Sequence, residues 1–366
     1  MKRLFILGVL ALSFSALFAQ QTTVALLNHE GTISTFYGSD ALTQAHKAAV
    51  HGDIITLSGG VFTAPQSWIK AVTLRGAGCY AGADNSREVT SIGNQFNLAI
   101  PVEIETTMTI EGINFDRVSF STRVNNTTFL KCYFEGYEVS GVCRNTNFYN
   151  CVIAGQIRFY GDANSLANIY FFNCYVNNPN ASSSYVSTKF TNCVISFPSS
   201  YVNSTNGHLS GMNYARYNNC IFLGNTKYMD NAIIPSNCTA TYCLSCLCAY
   251  KNATETEDAI YDYNIFDDMG NSTNKCLEEG KPLNETISSV FKTYNGTNAF
   301  SFNELYELTD EAKATYIGSD GTQIGLHGGI GFDLVPSTLQ ITKCEVAPRS
   351  TKDGKLSVKI EVGIPE

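Results

Sequence analysis

Thirteen cysteines are the most conspicuous reactive groups in this 366-residue chain. In an exported protein such a number suggests disulfides. Three of them, in Cys243-Leu-Ser245-Cys246-Leu-Cys248, have the close spacing of a metal-ligand cluster. Paired carboxylates are the other source of chemistry. Two acids can run glycoside hydrolysis, and acids that hold calcium beside a proton-abstracting base can run uronate elimination. Asp267-Asp268 is the adjacent Asp pair and the weak catalytic candidate; Asp116-Arg117 and Asp162 lie nearer the regular part of the chain. His208 and His327 have no Cys, Ser or Asp partner in the sequence that would make a nucleophile–base pair. Acids in polar loops are ordinarily solvated, and that is the expectation for Asp267 and Asp268.

Most of the cysteines find a simpler explanation in a repeat. Phe129-Leu-Lys131-Cys132, Phe148-Tyr-Asn150-Cys151, Phe171-Phe-Asn173-Cys174, Phe190-Thr-Asn192-Cys193 and Tyr217-Asn-Asn219-Cys220 follow at intervals of 19, 23, 19 and 27 residues. An apolar residue stands two positions after each Cys. Repeats of this length without helical periodicity indicate a β-solenoid. Side chains on one face of a strand recur every second residue, yet the aromatic and the Cys are three apart. One residue must therefore bend the chain, and Asn tolerates the left-handed conformation that a bend needs. The expectation is a stack of aromatics, a ladder of Asn150, Asn173, Asn192 and Asn219, and a stack of buried free thiols at Cys132, Cys151, Cys174, Cys193 and Cys220. Side chains stacked in parallel fit disulfide geometry poorly. Met108-Thr-Ile110-Glu-Gly-Ile113 fits the same register. So does the Cys243 cluster, with Cys243 in the aromatic slot, Ser245 in the Asn slot and Cys246 in the Cys slot, which removes the need for a metal.

The elements around the repeat complete the plan. Residues 1–19 read as a secretory signal peptide, with Lys2 and Arg3 before an apolar run that is short for a membrane span. Residues 20–335 form the coil. Its N-terminal cap occupies about 27–80 and includes a short helix over Asp40–Val50, started by Ser39 or Asp40 and ended by Gly52. Asn177–Ser184, Asn203–Met212 and Asn225–Asn231 are expected as projecting loops. A short helix is expected near Phe302–Leu308, and Ser319–Phe332 is rich in glycine. Residues 336–366 alternate in period two around Asp353-Gly354 and predict a terminal β-hairpin. The fold class is thus all-β: a single-stranded right-handed parallel β-helix with a capping helix and a C-terminal hairpin. The Asn-x-Ser/Thr sites at Asn180, Asn203, Asn252, Asn284 and Asn295 read as turn chemistry.

Gly31-Thr-Ile-Ser-Thr-Phe-Tyr-Gly38, Gly52-Asp-Ile-Ile-Thr-Leu57 and Thr73-Leu-Arg-Gly-Ala-Gly78 resemble the opening of secreted right-handed parallel β-helix proteins of the Bacteroides type, in the pectin-lyase-like superfamily. The resemblance implies the fold over most of the mature chain. It says less of function, because that fold hosts lyases, hydrolases, adhesins and inert shafts. The polygalacturonase motifs Asn-Thr-Asp, Asp-Asp, Gly-His-Gly and Arg-Ile-Lys are represented here by an Asp-Asp alone. Gly207-His208-Leu209 and Ile157-Arg158-Phe159 break two of the others, and the pectate-lyase motifs are absent.

The functional expectation is a non-catalytic secreted or surface protein that binds polysaccharide or host glycan. A polysaccharide lyase or glycosidase, with calcium if a lyase, is the alternative, and a structural shaft the third reading. Otherwise no cofactor or metal is implied. Residues beside each bend should point outward, so Tyr133, Tyr149, Phe172 and Tyr175 could stack on sugar rings at rung spacing. Removal of Lys2 and Arg3 leaves 22 basic and 32 acidic residues, a net charge of −10, which disfavours nucleic acid and anionic membrane as partners. No membrane insertion is expected, and the protein is expected to be monomeric.

Overall fold

The computed structural model describes residues 23–82, 87–101, 103–120, 123–139, 142–160, 166–177, 179–181, 188–196, 215–226, 239–241, 243–248, 260–263, 290–293, 300–304, 306–337, 340–346 and 358–363. They form a parallel β-solenoid of about six turns. The cap contains β1 (Val24–His29), β2 (Thr32–Tyr37), α1 (Ala41–Ala48), β3 (Ile54–Leu57), β4 (Gly60–Phe62) and β5 (Thr73–Arg75). The coil continues through β6 (Thr90–Leu98), β7 (Met108–Glu111), β8 (Asn114–Phe120), β9 (Arg123–Leu130), β10 (Tyr133–Phe134), β11 (Tyr137–Val139), β12 (Val142–Tyr149), β13 (Val152–Ile153) and β14 (Ile157–Phe159). Then come β15 (Leu166–Phe172), β16 (Tyr175–Asn177), β17 (Pro179–Ala181), β18 (Thr188–Thr191), β19 (Val194–Ser196), β20 (Arg216–Asn218), β21 (Ile221–Thr226), β22 (Thr239–Thr241), β23 (Cys243–Cys248) and β24 (Ile260–Tyr263). α2 (Asp310–Thr315) and the antiparallel hairpin of β25 (Gln340–Val346) and β26 (Val358–Gly363) follow.

Two long sheets meet at the bend. One runs β2-β1-β3-β5-β7-β9-β12-β15-β18-β20-β22, and the other carries β8, β10, β13, β16, β19, β21 and β23 in neighbouring rungs. At each bend one residue takes a left-handed conformation: Gly112 (φ 67°), Lys131 (52°), Asn150 (52°), Asn173 (50°), Asn192 (53°) and Asn219 (55°). The bend N–H groups of Gly112, Lys131, Asn150, Asn173 and Asn192 each donate to a carbonyl of the next rung, as Asn150 N does to Phe172 O at 3.0 Å. The expected slots are therefore occupied as read from the repeat between Ile110 and Cys220. Inside, Phe129, Phe148, Phe171, Phe190 and Tyr217 stack with centroids 4.6–5.0 Å apart and planes within 8°. Each contact is worth about 0.5–1.5 kcal/mol beyond burial.

The thiols do more than fill space. Cys132, Cys151, Cys174 and Cys193 are fully buried and free. Each Sγ lies 3.2–3.3 Å from the carbonyl two residues earlier and 3.5–3.6 Å from a carbonyl of a preceding rung. A thiol is a small apolar group with a weak donor, which suits a dry corner lined by carbonyls. Burial pushes Cys132, Cys174 and Cys193 well above the ordinary thiol range, so they stay protonated.

The structure corrects several expectations. The rung after Cys220 is set three residues earlier than the Cys243 cluster suggested: Tyr217 pairs with Ala240, and Ile221 with Leu244. Cys243 therefore takes the Cys slot rather than the aromatic slot, and Ser245 lies beside Phe222 in the apolar slot instead of at the bend. α1 stops at Ala48. Its C-terminal carbonyls are capped by Lys70, whose Nζ donates to the carbonyls of His46, Lys47 and Ala49 at 2.8, 2.7 and 2.5 Å. Gly52 serves the later turn, and Val50 lies beyond the helix and is 49% exposed. Pro179–Ala181 is a strand against β14, not a loop, and Asn180 sits within it. The late helix is α2, not 302–308, because Thr309 caps it by accepting from Ala312 N at 3.2 Å. Residues 1–22, Asp162, Asn203–Met212, His208, Asn252, Asp267, Asp268, Asn284 and Asn295 lie outside the described residues. No helix among the described residues is long and apolar enough to cross a membrane.

Candidate functional site

The bend side chains point away from the core, and the end of the chain lies along them. Ser319 N and Oγ donate to Asn219 Oδ1 at 2.9 and 3.2 Å. Asn192 Nδ2 is 3.4 Å from Asp320 Oδ2. Asn173 Nδ2 donates to Leu326 O at 2.7 Å and Gly328 O at 2.6 Å. Lys131 Nζ reaches Asp333 Oδ2 at 2.6 Å and the carbonyl of Val335. Ser337 N donates to Glu111 Oε1 at 2.7 Å. Residues 319–337 thus run back over six rungs, about 24 Å at rung spacing. The glycines of this strap let its backbone seat on the coil. A Cβ at Gly318 would stand 2.6 Å from Asn219 Cγ, and one at Gly325 (φ 78°) 2.5 Å from Ile221 Cδ1.

The strap changes the meaning of the outward stripe beyond each Cys. Val152, Tyr175, Val194 and Ile221 do point away from the core, yet all four are fully buried. They form a second apolar cluster with Tyr306, Leu308, Tyr316, Ile324, Leu326 and Leu334. Tyr175 lies 5.2 Å from Tyr306 and 5.0 Å from Phe300, and burial raises its phenol to about 12. Tyr133 is half-buried beside Phe302 at 5.6 Å, and its Oη donates to Glu135 Oε1 at 2.9 Å. Burial, then that bond, push the Tyr133 phenol up. Tyr175 is consequently not an exposed sugar platform: the chain's own C-terminal part covers it.

Tyr149 and Phe172 lie on the outer face of the first sheet and are partly exposed. Their rings stack on each other at 4.8 Å and 8°. Stacking along the axis occupies the faces between them and turns edges outward, which removes most of the face that a sugar ring would cover. Beside them runs an exposed ladder that the repeat reading missed. Asn126, Asn145 and Asn168 have φ of 52°, 48° and 55°, and are linked by amide bonds of 3.1 and 2.9 Å. Its signal was present: each stands three residues before Phe129, Phe148 or Phe171.

A third face carries a groove. β8, β11, β14 and β17 pair in register, so Ser119, Glu138, Arg158 and Asn180 occupy successive rungs of one row. Glu138 and Arg158 of that row, with Asp116, Arg117, Glu135 and Gln156, border an open pocket of about 380 Å³. Close by, the backbones of two rungs meet at Gly155, where a Cβ would collide with Glu135 O. Arg117 and Glu138 are 3.8 Å apart, and Arg158 Nε donates to Gln156 Oε1 at 2.7 Å. Three carboxylates, two guanidiniums and an amide give the groove both donors and acceptors in fixed places. Among the described residues no group of three or more His, Cys, Asp or Glu side chains is placed to hold a metal ion. Of the other sequence candidates, Asp116 and Arg117 enter this groove, whereas His327 lies in the strap near Phe332.

No family model, curated protein or solved structure matches the chain.

Proposed function

We propose that the chain is a secreted or surface β-solenoid of the pectin-lyase-like type that binds a polysaccharide or host glycan in the groove of Asp116, Arg117, Glu135, Glu138, Gln156 and Arg158, without cleaving it. The observation that carries this reading is the groove itself, a charged, hydrogen-bonding concavity on a rigid sheet. Sugar hydroxyls present closely spaced donors and acceptors, which carboxylate and guanidinium pairs can satisfy. The coil fixes those groups before binding, which lowers the ordering cost of gripping a long polymer. The groove also supplants the aromatic stripe, whose central Tyr175 is covered.

Retention on a panel of acidic and neutral polysaccharides should therefore be measurable in affinity electrophoresis, with no new reducing ends and no unsaturated-uronate absorbance. Glu138→Ala with Arg158→Ala should weaken retention at least about tenfold, because a bond to a charged group is worth about 1.5–3 kcal/mol. Both side chains face solvent, so melting should shift by no more than about 2 °C. Unchanged retention would remove the groove from the reading. Cleavage products that vanish in Asp116→Asn would make the protein an enzyme.

A further inference from the structure

Among the described residues nothing pairs with the outer edge of the solenoid's first sheet. β2 ends the eleven-stranded sheet and pairs with β1 alone. Edge strands usually carry a charge, a proline or a bulge that blocks pairing with another chain. β2 reads Thr32-Ile-Ser-Thr-Phe-Tyr37 and has none of these: its pairing to β1 is continuous from Thr32 to Tyr37. Ile33 is 56% and Tyr37 63% exposed, on the same face as Thr35. Leu26, 38% exposed, lies beside Thr35 on that face. Phe36, on the opposite face, packs against the core.

We infer that β2 pairs antiparallel with β2 of a second copy, joining two solenoids head to head about a two-fold axis at Thr35. The strand's own pattern selects the occupant and the register. An axis perpendicular to the sheet keeps each strand's faces, so residues placed opposite each other must have the same parity. Centring on Thr35 sets Ile33 against the second copy's Tyr37, and Tyr37 against its Ile33. Both are aromatic–β-branched pairs, the kind that stabilises antiparallel strands. The two most exposed apolar side chains of the strand are thereby covered together. A foreign peptide added to this edge would gain the same main-chain bonds but no pockets for its side chains, which is where peptide specificity comes from. A two-fold pairing also closes on itself, whereas head-to-tail stacking of coil ends would run on into fibres.

One strand pair buries less area than the roughly 1,200 Å² of stable interfaces, so the dimer should be weak, with Kd on the order of tens of micromolar. The net charge of the signal-free chain, −10 by formal count, opposes association, and added salt should tighten it. Sedimentation velocity of the signal-free chain from about 1 to 500 µM tests this. The expected result is a monomer–dimer equilibrium, with Kd raised at least tenfold in Ile33→Lys/Tyr37→Lys and no change in melting. A second variant keeps the register testable. Thr35→Cys, at the axis, should give a disulfide-linked dimer under mild oxidation, whereas Ile33→Cys should not. A monomer at every concentration, a dimer indifferent to the lysines, equal cross-linking at both positions, or a ladder of higher oligomers would each overturn the inference. It is independent of what the groove binds.

Discussion

Asn173→Asp, a change of one atom, should lower stability by about 4 kcal/mol at pH 7. Asn173 is 2% exposed, and its Nδ2 serves two strap carbonyls, Leu326 O and Gly328 O. An aspartate has no donor to offer them. It places an unpaired charge against two carbonyl dipoles in a dry site, where a broken buried polar pair costs about 3–5 kcal/mol. The left-handed backbone is not the cause, since Asp tolerates it nearly as well as Asn. The pH dependence follows from the burial. Burial raises the folded-state pKa of the new carboxyl above its unfolded value of about 3.9. The neutral acid is therefore favoured in the folded state. Stability is best retained below about pH 4 and falls as the pH rises through the folded-state pKa. Urea midpoints at pH 3.5 and 7 would show it; equal losses at both would contradict the assignment of these bonds. Asn150→Asp is the control, because among the described residues Asn150 Nδ2, unlike Asn173 Nδ2, makes no bond to a strap carbonyl.

Tyr175→Ala should cost about 4 kcal/mol, within the range for deleting a buried aromatic. The ring is fully buried between the coil and the pair Phe300 and Tyr306. Tyr133→Ala, at a half-buried ring whose hydroxyl meets an exposed carboxylate, should cost about 1–2 kcal/mol. The contrast can be read from two thermal melts. If Tyr175→Ala melts like the parent, Phe300 and Tyr306 do not cover the stripe, and the outward aromatics return as a binding platform.

The difference between pointing outward and being exposed explains what the sequence made legible. The alternation beyond each bend correctly turns Tyr175, Val194 and Ile221 away from the core. Nothing local says that residues 290–334 come back to cover them, because those contacts join positions about 100–200 apart. The signal of the strap was its glycines, whose purpose becomes plain only when Gly318 and Gly325 meet Asn219 and Ile221. Asn at the bends was readable because a three-residue step between inward side chains demands a left-handed residue. Lys131 holds that conformation too, and its ammonium is used by Asp333. The three-residue slip at Cys243 has a similar origin. Within Cys243-Leu-Ser-Cys246 the step of three imitates the repeat, while the backbone continues it through Ala240 and Cys243. The groove was the least legible part. Its charged residues are far apart in sequence and become neighbours through the register of β8, β11 and β14.

The central claim is that the C-terminal strap lies along the bend ladder, which closes the aromatic stripe and leaves the polar groove for ligand. Zero-length carbodiimide coupling, followed by peptide mass spectrometry, tests it most directly. Lys131 Nζ and Asp333 Oδ2 are 2.6 Å apart across 202 residues of sequence. The exposed pairs of Lys292 and Lys313 with Glu307, at 2.7 and 2.8 Å, report within the same reaction that coupling has worked. The account predicts an amide between Lys131 and Asp333 that disappears in Asp333→Asn. Coupling at Glu307 without any product joining Lys131 to Asp333 would contradict it.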